Sequence, residues 1–179
     1  MAAVPLLRFP ARIAAFIAVL ATAVPAAAQE HGAHEHGVGR LNLAIDGGAV
    51  ETELMAPGAD IVGFEHEPRT PEQKKAVEAA VATLKDGAKL FRFPSAAKCR
   101  QESAEVESPL IKEHGHGDES HAEFHARYRF RCDTPERLTH ADVLFFEAFP
   151  SALELEVRTV TAKGQSAREL TARRPRLHF

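Results

Sequence analysis

Two stretches near the front of the chain alternate apolar and polar residues with period two. In RLNLAID (40–46) Leu41, Leu43 and Ile45 share one face, and in AVETELMA (49–56) Val50, Thr52 and Leu54 do. Successive side chains of a strand point to opposite faces, so both runs predict half-buried strands, and Asp46-Gly47-Gly48 between them predicts a hairpin. The period then changes. Ala76, Val77, Ala80, Val81 and Leu84 make one stripe at helical spacing. Thr70 is the expected N-cap, Pro71 the first helical residue and Gln73 the partner that completes a capping box, with the helix ending near Gly87. Period two returns in HAEFHARYRFRC (121–132), with Phe124, Ala126, Tyr128, Phe130 and Cys132 inward and His121, Glu123, His125, Arg127, Arg129 and Arg131 outward.

LFRFP, AEVES, ADVLFFEAF, ALELEVRTVTA and SARELTA supply further strands or short irregular pieces, with a second hairpin turn at Lys163-Gly164-Gln165. Phe145, Phe146 and Phe149 are expected to fill the core. No internal repeat or dividing linker breaks the pattern. The fold class expected is α+β: a single domain over residues 39–179, mostly antiparallel sheet, with one main helix and a His-rich loop.

The N-terminus follows neither period. Arg8 and Arg12 precede an apolar stretch from Ile13 to Val24, broken only by Thr22, and small residues Ala26, Ala27 and Ala28 follow. This order predicts a secretory signal peptide over 1–28, since the stretch is short of the ~20 residues that span a bilayer. Export would leave about 150 residues, roughly one domain, with no membrane insertion. The formal net charge is −3, and the leader holds two arginines and no acid, so cleavage leaves the chain more acidic. Nucleic acid, which wants a basic face, is not favoured. In an exported chain two cysteines most often pair, and the inward phase of Cys132 argues against a metal role, so Cys99 and Cys132 are expected to form a disulfide; two buried thiols are the alternative.

Histidine changes the picture most. All ten lie beyond residue 28. His31, His34 and His36 sit on a segment, 29–38, that reads as a flexible arm. His66 lies in GFEHEP between two elements, where a lone loop histidine is more often hydrogen-bonded to backbone. His114, His116, His121 and His125 are interleaved with Glu113, Asp118 and Glu123 over the His-rich loop and the start of a strand. Neutral imidazole is a preferred zinc ligand, and these spacings make His31, His34, His36, His66, His114, His116, His121, Glu123 and His125 the candidate metal ligands. His121 and His125, about 13 Å apart along an extended strand, could share one ion only if His121 folds back with the loop. His140 and His178 stand alone and receive no role.

Catalytic signatures are missing: no H-E-x-x-H, no G-x-S-x-G, no phosphate-binding G-x-x-x-x-G-K-[ST] and no C-x-x-C. A glycine-laced loop also lacks the rigid open site an enzyme needs, so no catalytic residue is assigned.

HEHGVGRLNLAIDG, IVGFEHEPRTPEQKKAV, LFRFPSAAKC, HAEFHARYRFRC and FFEAFPSALELEVRTVTAKGQSARELTARRPRL together resemble the ZrgA-like family of periplasmic zinc-uptake proteins. The resemblance implies a periplasmic zinc-binding component that works with an inner-membrane ABC importer, and a His-rich insertion before the HAEF strand, here compressed to KEHGHGDES. One domain of this size cannot close two lobes over an ion, so binding is expected at the surface or rim of a single sheet. The expected function is capture and delivery of Zn²⁺ in the periplasm. Handling of Cu²⁺ or Ni²⁺, which imidazole also suits, is the alternative, ahead of a zinc-dependent hydrolase or a metal-free structural protein.

Overall fold

The first two strands form as the alternation predicts: β1 (Val38–Asp46) and β2 (Ala49–Pro57) pair antiparallel around Gly47-Gly48 in the computed structural model, which describes residues 37–111 and 122–179. Leu41, Leu43, Val50, Thr52 and Leu54 are buried on one face, with Ile45 packed at its margin. Strand β5 (Glu123–Cys132) adds to β2, and β4 (Cys99–Glu107) adds to β5, both antiparallel. On the other side β7 (Glu154–Thr161) runs parallel to β1, and β8 (Gly164–Thr171) ends the sheet. The six-stranded order is β4-β5-β2-β1-β7-β8. The second hairpin turns one residue earlier than its sequence suggested: Ala162 and Lys163 make the turn, and Gly164, at φ 129°, already opens β8. Thr161 Oγ1 accepts from Lys163 N–H (3.1 Å), and a left-handed φ directly after that bond favours glycine.

One face of this sheet is covered. Helix α2 (Pro71–Lys85) starts at the expected capping box: Thr70 Oγ1 accepts from Gln73 N–H (3.2 Å) and Gln73 Oε1 accepts from Thr70 N–H (3.2 Å). It buries Val77, Ala80 and Leu84. Tyr128, inward on β5, donates its hydroxyl to Leu84 O (2.7 Å), which ties the helix C-terminus to the sheet, and burial pushes its phenol pKa up. A second sheet of three antiparallel strands, β3 (Phe91–Arg92), β6 (His140–Val143) and β9 (Arg176–His178), also contributes to the core, where Phe91 meets Tyr128 and Phe130 edge-on. ADVLFFEAF therefore divides: its first part is β6, and Phe145–Ala148 is the short helix α3, whose consecutive Phe145 and Phe146 are both buried, a pattern no strand allows on one face.

Cys99 and Cys132 are partners in register across β4 and β5 and form a disulfide. The described residues lie in one compact unit, an α+β domain. No described helix is long and apolar enough to cross a membrane. The expected leader, 1–28, lies outside the described residues.

Candidate metal site

At the end of the large sheet where β2 stops, the chain passes directly into a one-turn helix, α1 (Gly58–Val62). Gly58 N–H donates to Ala122 O (2.6 Å). A Cβ at Gly58 would lie 2.7 Å from that oxygen, 2.8 Å from Phe64 O and 3.3 Å from Leu110 Cδ1, so three separate segments approach a backbone that only glycine permits. Leu110 and Ala122 are both buried, and they stand on either side of residues 112–121. Both ends of the His-rich loop are thus fastened beside Gly58. Phe64 in turn stacks its ring on His66, with centroids 5.1 Å apart.

The arm enters at the same end. Asp60 of α1 is buried, and its two carboxylate oxygens accept from Gly37 N–H at 3.0 and 3.1 Å. Gly37 O accepts from Leu153 and Glu154 N–H, both at 2.9 Å. The residue that follows His36 is therefore held from both sides, and β1 begins immediately after it.

Glu123, the first residue of β5, pairs in register with Pro57, and His125 stands between Met55 on β2 and Glu107 on β4. His125 and Glu123 leave the strand on its outer face, as the alternation predicts, and His125 Nε2 lies 2.7 Å from Glu123 Oε2. Their side chains are 36% and 15% exposed, open enough for an ion to reach yet held by a strand paired on both edges. Further along this face the arginines of β5 meet carboxylates from neighbouring strands: Arg127 with Glu53 (3.4 Å) and Glu107 (3.5 Å), Arg129 with Glu51 (2.9 Å), Arg131 with Glu102 (3.6 Å). His66 is exposed, and its Nδ1 lies 2.9 Å from Glu67 O. A carbonyl only accepts, so Nδ1 carries a proton, and in the neutral ring the lone pair is on Nε2, the form that binds metal.

His66, Glu123 and His125 are the expected ligands that fall within the described residues; His31, His34, His36, His114, His116 and His121 lie outside them. Among the described residues no three His, Cys, Asp or Glu side chains are grouped as a metal would require. Sequence reasoning passed over Gly58, Asp60 and Glu107. The acid in GADIV, set among apolar neighbours, was the one available hint for Asp60; which residue faces His125 across β4 depends on register alone.

A family model described as ZrgA family zinc uptake protein matches residues 33–179. The chain belongs to that family. The match takes in the whole domain, including the His-rich loop and every expected ligand except His31. No curated protein matches the chain.

Proposed function

We propose that this member of the zinc uptake family captures Zn²⁺ in the periplasm and hands it to an inner-membrane ABC importer, without catalysing a reaction. The observation that carries the reading is convergence: the attachment points of the arm and of the His-rich loop, the His66 loop, and the Glu123–His125 pair all belong to the end of the sheet where α1 begins. The described residues supply an imidazole and a carboxylate on a rigid strand, and zinc takes about four ligands, so the remainder would come from the histidines of the arm and loop. Ligands on such tethers can leave one at a time, which suits an ion meant for transfer. The Cys99–Cys132 bond supports an oxidising compartment.

Calorimetric zinc titration of the chain lacking residues 1–28 tests the capture half. Replacing His114, His116 and His121 together with His125 should lower affinity by roughly a hundredfold or more, about 2.7 kcal/mol. Binding unchanged in that variant would refute the site. Affinity should also fall on acidification, because protons compete for imidazole nitrogen. The delivery half predicts that zinc-loaded protein passes its ion to an importer in reconstituted membranes faster than the ion dissociates into buffer; equal rates would refute a direct hand-over.

A further inference from the structure

His140 and His178 have no part in the proposed capture site. They are opposite one another on β6 and β9. Phe179 N–H donates to Thr139 O (3.0 Å) and Val143 N–H to Pro175 O (2.8 Å). Hydrogen-bonded and non-hydrogen-bonded positions alternate along an antiparallel pair, so these bonds put His140 and His178 at a non-hydrogen-bonded position, where facing side chains come closest. Ala141, Val143 and Leu177 are the buried residues of these strands, so both rings stand on the outward face. Their centroids are 6.1 Å apart and their planes tilted by 47°.

Two imidazoles on one zinc, through ~2.0–2.1 Å bonds at a tetrahedral angle, have centroids about 5 Å apart. Small side-chain rotations therefore close the gap without moving backbone. Thr139 Oγ1 lies 3.0 Å from His140 Nδ1. When Nδ1–H donates to that hydroxyl, Nε2 carries the lone pair, and the ring is oriented as metal-bound histidines are by a neighbouring oxygen. Asp142, one step along the same face, is engaged by Arg176 through Nε (2.6 Å) and Nη2 (3.1 Å). Arg92 faces it from β3. This carboxylate is thus committed, and the two rings are the ligands available.

We propose that His140 and His178 form a separate two-imidazole site for a divalent cation that takes nitrogen ligands, with water filling its other positions. An ion there would clasp β9 to β6.

Imidazole NMR of the isotope-labelled full-length domain, titrated with Zn²⁺, tests this. The ring signals of His140 and His178 should move together with one apparent affinity. In His178→Asn the response of His140 should vanish or need at least tenfold more zinc, and His140→Asn should do the same to His178. A backbone spectrum like that of the parent verifies the fold of each variant, and if one fails to fold the other carries the test. A His140 response unchanged by His178→Asn, or no response from either ring at zinc saturating the rest of the chain, would overturn the proposal.

Discussion

At its C-terminal end β5 is fastened by a covalent bond to Cys99, by the hydrogen bond from Cys132 N–H to Gly48 O (2.7 Å), and by Tyr128 and Phe130 packed against Phe91. At its N-terminal end the same strand presents Glu123 and His125, partly exposed, next to the loop that carries His114, His116 and His121. One alternation of inward and outward residues serves both ends. What differs is which face carries the specialised residues. Toward the C-terminus the inward face does, and its side chains answer to packing. Toward the N-terminus the outward face does, and its side chains answer to solvent and solutes. The ligand-bearing end thus stands on a strand whose fastening interactions, at Tyr128, Phe130 and Cys132, lie further along and, for the packed rings, on the opposite face of the sheet.

The largest effect is expected at the disulfide. Removing it by Cys99→Ser with Cys132→Ser opens a link between positions 33 residues apart and should destabilise the domain by about 4 kcal/mol in chemical denaturation. Zinc stoichiometry of the protein that remains folded should be unchanged; a parallel loss of zinc capacity would mean that the two ends are coupled. Tyr128→Phe leaves Leu84 O without its buried donor and should cost about 2 kcal/mol, again with zinc affinity unaltered.

The opposite pattern is expected at the other end. His125→Ala should weaken zinc about tenfold, equivalent to ~1.4 kcal/mol, while the unfolding midpoint stays within that of an ordinary surface substitution. His114→Ala or His116→Ala alone should cost less than His125→Ala, since loop histidines can replace one another and a strand ligand cannot be replaced. Equal or reversed losses in titration would show that the strand is scaffold and the loop alone binds. The smallest effect sharpens the reference: Thr70→Ala, at the N-cap of α2, should cost about 1 kcal/mol by thermal unfolding and leave zinc binding as it was.

Local pattern carried much of this structure. The β1–β2 hairpin, the capping box of α2, the inward phase of Cys132 and the outward phase of Glu123 and His125 all follow from residues within a few positions of each other, because strand alternation, helix capping and tight turns are short-range physics. The pairing of Cys99 with Cys132 was also open to inference, since two cysteines allow one bridge. Which strands are neighbours is set by long-range packing. The parallel contact of β1 with β7, the three-stranded sheet and the register that sets Glu107 beside His125 join residues far apart in the chain, and their choice depends on burying one shared core. Gly58 and Asp60 belong to the same class. In sequence they are an unremarked glycine and acid; folded, they are where three distant segments meet, because a missing side chain admits close backbone and a buried carboxylate must find donors.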